Sequence, residues 1–99
     1  MADWSNTTTA TVLTMVKVDL GIKATAYDDR LTQYVTAAQS AIVREGVSTL
    51  SDSVEDMQLV AMYAGWLWRK RDTGDGMPRN LRWMLNNRIF SEKAHVEEG

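Results

Sequence analysis

The sequence predicts an all-α domain, a small bundle of three to four helices with a long central third helix and mobile termini. Three observations lead there. Apolar side chains recur at three- and four-residue steps along most of the 99 residues. The only proline is Pro78, so almost nothing interrupts a helix from within. Gly21 and Gly46 fall directly after periodic runs, where a helix ends most easily. The expected organisation is a flexible arm over 1–9, a single domain over 10–90 and a flexible tail over 91–99.

Residues 1–9 are polar and threonine-rich around an isolated Trp4, and read as a loose arm. The first helix is expected from about Ala10 to Leu20, with Val12, Leu13, Val16 and Leu20 along one face. Its β-branched content would also suit a strand, but the spacing and the Gly21 stop favour a helix. The second helix carries one stripe, Tyr27, Leu31, Tyr34, Val35, Ala38, Ala41 and Ile42. Asp28 and Asp29 open it, where carboxylates meet unsatisfied amides and the positive end of the helix dipole. Its other face, Thr32, Gln33, Thr36, Gln39 and Ser40, is polar yet uncharged, which is unusual for a freely solvated helix.

Val47 to Leu50 reads as a short connector. Ser51-Asp52-Ser53 before Glu55 and Asp56 offers overlapping capping boxes for a third helix over about Ser53 to Asp72. Between Met57 and Trp68 its one polar side chain is Gln58, so apolar groups surround this helix instead of lining one side. Such a helix must be buried all round. Three other helices of a small chain would hardly wrap it, so part of it is expected to pack against another protein chain. After the loop 72–76, Pro78 suits the first position of a fourth helix, expected to run to Phe90 with Leu81, Met84, Leu85 and Ile89 inward. The expected core is Tyr34, Val35, Ala38, Ile42, Val60, Ala61, Ala64 and Leu85, with the second and third helices antiparallel.

Composition narrows function. A 44% hydrophobic share is too high for a disordered chain. No apolar run reaches the ~18–20 residues of a membrane span, and no signal-like leader pattern opens the sequence. Zero cysteines remove disulfides, thiolate nucleophiles and Cys-based zinc sites, which fits a reducing cytoplasm. A net charge of −2 argues against a general nucleic-acid binder.

Catalytic motifs find little support. Asp72-Thr73-Gly74 spells the retroviral aspartic-protease triplet, but that chemistry needs the Asp after a strand in a mostly β dimer. The same loop lacks the alternating oxygen ligands and closing Glu of an EF-hand, since Trp83 stands where the Glu would be. His95, the only histidine, falls in the expected tail, where no packing would hold it as a base. The expectation is therefore no enzyme, no cofactor and no metal.

Charge is more informative. From Trp66 to Phe90, Arg69, Lys70, Arg71, Arg79, Arg82 and Arg88 stand against Asp72 and Asp75, a net +4 that leaves −6 for the rest. The basic residues closing the third helix suit its carbonyl end. With Trp66, Trp68 and Trp83 nearby, they would also suit nucleic-acid contact. A third reading is a charge-polar interface whose head-to-tail contacts close into a ring.

The order of these pieces resembles the small helical head–tail connector proteins of tailed bacteriophages, also called head-completion or adaptor proteins. Val16-Lys17-Val18-Asp19-Leu20-Gly21-Ile22 is similar to the family's first helix, which ends in Leu-Gly-Ile. Asp28-Asp29-Arg30-Leu31 running to Ala37-Ala38-Gln39-Ser40-Ala41-Ile42 is similar to its acidic-started, alanine-rich second helix. Ala61-Met62-Tyr63-Ala64-Gly65-Trp66-Leu67-Trp68-Arg69, then Met77-Pro78 and Leu81 to Leu85, resembles its aromatic long helix and Pro-started final helix. The likeness spans about residues 12–90, with a shorter loop and tail than in some members.

The resemblance implies a structural virion protein without a catalytic step, assembled in the host bacterial cytoplasm and located at the portal vertex. Its subunits would form a ring beneath the capsid portal, extend the DNA channel and join head to tail. The implied partners are further copies of itself, the portal protein and a tail or stopper protein, with DNA passing without specific binding and no membrane contact. Leu59, Met62, Tyr63, Trp66, Trp83, Arg79 and Arg82 are the expected interface. The alternatives are a small helical nucleic-acid-binding regulator using 66–88, or a dimeric interaction domain.

Overall fold

Four helices, α1 (Asn6–Leu20), α2 (Asp28–Glu45), α3 (Val54–Thr73) and α4 (Arg79–Glu98), make up the chain. The structure is a computed structural model and describes residues 4–48 and 50–98, with side chains through Ala94. Among the described residues there is no strand.

The caps explain most helix bounds. Ser53 adopts extended backbone and its Oγ accepts from the Asp56 amide at 3.2 Å, so α3 starts at Val54. Gly21 closes α1 in the left-handed conformation, and its amide reaches back to the last carbonyls. At α4 the Pro78 carbonyl accepts from the Arg82 amide at 3.0 Å, which starts the helix one residue after the proline.

Both expected loose ends are largely helical. α1 starts at Asn6 instead of Ala10, because Ser5 caps it by accepting from the Thr8 amide at 3.1 Å. Just before that cap, Trp4 Nε1 donates to the Ser51 carbonyl at 3.0 Å and ties the arm to the start of α3. At the other end α4 passes Phe90 and continues to Glu98, since no glycine or proline follows Pro78 until Gly99. Arg88 and Ser48 also hold Glu92 in that continuation. Residues 1–3 of the arm and the His95 side chain lie outside the described residues.

Side-chain pairs give the directions. Near the start of α2, the Tyr27 and Tyr34 rings meet Trp68, near the end of α3, edge to face, so these helices run antiparallel. Arg88, late in α4, reaches Asp56, early in α3, so α4 also runs antiparallel to α3. The start of α1 lies by Ser51 and its end by Gly65 and Arg69, so α1 is parallel to α3. Helix α3 is therefore central, and the other three pack against it.

The core is built on α3: Leu59, Val60, Ala61, Tyr63 and Ala64 are all buried. Facing them are Val12 and Val16 of α1, Leu31, Val35, Ala38 and Ile42 of α2, and Leu81 and Leu85 of α4. Each fully buried Val, Leu or Ile contributes on the order of 1.5–3 kcal/mol. Tyr34, expected among the core, is only half-buried because its ring caps Trp68 at the edge. The connector residues Val47 and Leu50 are buried as well, closing the bottom of the bundle.

Candidate interaction surface

Helix α4 is pinned to α3 by one polar cluster. Asp56, in the first turn of α3 and 3% exposed at its side chain, receives Arg88 Nε on Oδ1 at 2.8 Å. Its Oδ2 accepts from both the amide and the hydroxyl of Ser51, at 2.8 and 2.9 Å. Arg88 Nη1 continues to Glu92 at 3.0 Å, and Ser48 donates to the same carboxylate at 2.6 Å. Burial by itself would raise the Asp56 pKa, but the hydrogen bonds from Arg88 and Ser51 and the Arg88 charge outweigh it and hold the carboxyl below its usual range. Arg88 is pushed the other way by the same pairing. Ionised at both ends, the pair fixes which face of α4 points inward.

That choice leaves an apolar face outward. With Leu81, Leu85 and Arg88 turned to α3, Trp83 and Phe90, seven residues apart and so on one side of the helix, point to solvent. Trp83 is 66% exposed and Phe90 74%. Arg79, one turn before Trp83, continues the same stripe and is exposed. Beside Trp83, a groove of about 310 Å³ opens between the helices, lined by Glu55, Leu59, Met84 and Asn87 among others.

The residues expected to form one interface part company here. Trp83 and Arg79 share the outward face of α4, while Arg82 turns toward α2 and reaches Glu45 at 3.7 Å. Met62 is half-buried on the opposite flank of α3, in a groove with Met15 and Val18 of α1. Leu59 and Tyr63 are corrections: both are core residues, 2% and 7% exposed. Burial, with the Glu45 carboxylate nearby, pushes the Tyr63 phenol above its usual range. The physical reason is that α1 and α4 cover both flanks of α3. From Met57 to Trp68, only Gln58 is exposed, so the chain itself wraps the all-apolar helix.

Trp66 is half-buried against Tyr63, and its Nε1 donates to the Asp75 carbonyl at 3.2 Å. Trp66 and Trp68 each have a cation over the ring. Lys70 lies 4.6 Å from the Trp66 ring centre, and the Arg71 guanidinium 3.7 Å from that of Trp68. Val18, Val54 and Phe90 are exposed hydrophobics that the sequence reading did not single out, and Tyr27, placed on the apolar stripe of the second helix, is exposed as well. Phe90 lies two helical turns from Trp83, a signal hidden by placing the helix end there.

Asp72-Thr73-Gly74 ends α3 as a left-handed glycine cap, and Thr73 Oγ1 accepts from the Asp75 amide at 3.2 Å. Among the described residues no three His, Cys, Asp or Glu side chains cluster to hold a metal. No described helix is long and apolar enough to cross a membrane. Comparison with known proteins finds no matching family model, no matching curated protein and no matching solved structure.

Proposed function

We propose that the chain is a structural subunit of a homo-oligomeric ring that sits beneath the capsid portal of a tailed phage, extends the DNA channel and joins head to tail. The observation that carries this reading is the exposed Trp83–Phe90 face of a helix held rigidly by a buried ion pair. A solvated helix has no use for two large aromatics outward, whereas a neighbouring subunit would bury them. The all-helical bundle and the order of its sequence motifs agree with the connector resemblance.

The mechanism is assembly. Subunits with unsatisfied aromatic surface gain burial when a portal ring positions them side by side, and no bond is made or broken. Light scattering on the purified protein, alone and with its cognate portal ring, tests the reading. A complex carrying many copies on the portal is expected. A stable dimer without portal affinity would overturn it.

The cations over Trp66 and Trp68 and the internal pairing of Arg82 and Arg88 speak against those residues as a nucleic-acid surface, which leaves Trp83 and Arg79 as the exposed pair in 66–88.

A further inference from the structure

The loop between α3 and α4 holds the one Asp-Gly step of the chain, and no Asn precedes a glycine. Asp75 and Gly76 are both exposed. Among the described residues the Asp75 carboxylate makes no ion pair or hydrogen bond, and the Gly76 amide donates to nothing. A Cβ added at Gly76 would meet nothing within 4 Å. The Gly76 nitrogen is therefore unshielded and has no bond to lose when the neighbouring carboxyl reaches it. Within a helix the same step is protected: the Met57 amide, which follows Asp56, donates to the Ser53 carbonyl at 2.9 Å.

The carbonyl of the same peptide unit is engaged. That oxygen, on Asp75, accepts from Trp66 Nε1 at 3.2 Å. The Trp66 ring is half-buried, with Tyr63 edge to face and Lys70 over it, so its N–H has a defined position. An indole nitrogen can only donate. It marks one of the two carbonyls that a ring closed between Asp75 and Gly76 would contain.

We infer that Asp75-Gly76 is a spontaneous isomerisation site and that the Trp66 indole directs its product to isoaspartate. The Gly76 nitrogen attacks Cγ of the protonated Asp75 carboxyl. A Cγ–N bond forms, and the hydroxyl leaves as water with the amide proton. The resulting five-membered imide holds two carbonyls, the former side-chain one and the main-chain one that Trp66 bonds. Water then opens the ring. Attack at Cγ breaks the new bond and returns aspartate. Attack at the main-chain carbonyl carbon breaks its bond to the Gly76 nitrogen, which regains a proton, and the chain now runs through Cγ. Trp66 Nε1 stabilises the negative charge that develops on the main-chain oxygen, so this second route is favoured. One water leaves and one enters, so the mass is unchanged. The former main-chain carbonyl becomes a carboxylate, to which the same indole donates a charge-assisted bond.

Incubation in warm, near-neutral heavy-oxygen water, then tryptic digestion in ordinary water, reads this partition. Each ring opening leaves one heavy oxygen in the peptide 72–79, released by cleavage after Arg71 and Arg79. Chromatography separates its isoaspartyl and aspartyl forms. Their labelled ratio is expected to be about two- to tenfold higher in the folded protein than in protein unfolded by guanidinium, the effect of one hydrogen bond. Trp66→Phe keeps a ring against Tyr63 but lacks the N–H, and should return the ratio to the unfolded value. Thermal melts verify its fold, and the folded-against-unfolded comparison of the wild type stands without it. Label in the unfolded chain but none in the folded protein would overturn the site. Equal ratios in folded, unfolded and Trp66→Phe protein would overturn the direction by Trp66.

Discussion

Arg88 and Asp56, thirty-two residues apart, form the link that orients α4, with Nε 2.8 Å from Oδ1 and the carboxylate almost fully buried. Leu81 and Leu85 supply the apolar contact, but apolar contacts alone tolerate rotation and sliding. A directional ion pair does not. The outward placement of Trp83 and Phe90 follows from this pair together with the buried Leu81 and Leu85.

Arg88→Met is expected to destabilise the domain by about 3 kcal/mol, because it strands a carboxylate that burial has removed from water. Adding Asp56→Asn should recover part of that loss, since the stranded charge is gone. Urea unfolding of the two variants checks both steps. Equal loss in the single and double variants would show that the charge is not the source.

Acid should weaken the fold through the same residue. The Asp56 pKa is lower in the folded state than its ordinary value of 3.8, so the unfolded chain binds its proton first as pH falls. The contribution is complete above 3.8 and is lost as pH drops from there through the lowered folded value. Below pH 4, Asp56→Asn should therefore lose less stability per pH unit than the wild type. Parallel slopes in a pH series of unfolding curves would contradict this.

Trp66 and Trp83 should respond oppositely to the same change. Trp83→Asp alters an exposed site and is expected to cost within about 0.5 kcal/mol while abolishing assembly. Trp66→Asp removes an edge-to-face partner of Tyr63 and places a charge at a half-buried site, so a loss of about 2 kcal/mol or more is expected. Thermal melts beside light scattering separate the effects.

Gly46 ends α2 at φ +133°, and a Cβ built there would lie 3.3 Å from Ile89 Cγ2 of α4. Gly46→Ala combines backbone strain with crowding of α4 and should cost on the order of 1–3 kcal/mol. Faster amide exchange confined to α4 would locate the damage. Uniform exchange across the chain would argue for backbone strain alone.

Nucleic-acid binding provides a separate check. With Lys70 over Trp66 and Arg71 over Trp68, filter binding to DNA at two salt concentrations should show no tight, steeply salt-dependent affinity. A steep slope would favour the regulator alternative.

Much of this architecture was legible from the residues. The stripe from Leu31 to Ile42, the Ser53 cap and the glycine stops are local signals, carried by spacing within one helix. Val47 and Leu50 were missed because a four-residue connector has no period to read. Leu59 and Tyr63 were misplaced for a different reason. On a helix apolar all round, periodicity cannot say which flank the chain itself will cover.

By itself the sequence determined an all-helical domain of three to four helices, most of their bounds and the antiparallel α2–α3 core. Those features rest on hydrogen bonds and apolar spacing within a few turns. Tertiary structure alone decided that α1 and α4 close both flanks of α3, that Arg88 spends its charge on Asp56, and that Trp83, Phe90 and Val18 remain outside. These outcomes depend on contacts between residues distant in sequence, and no local pattern encodes which side of a helix its distant partners will take.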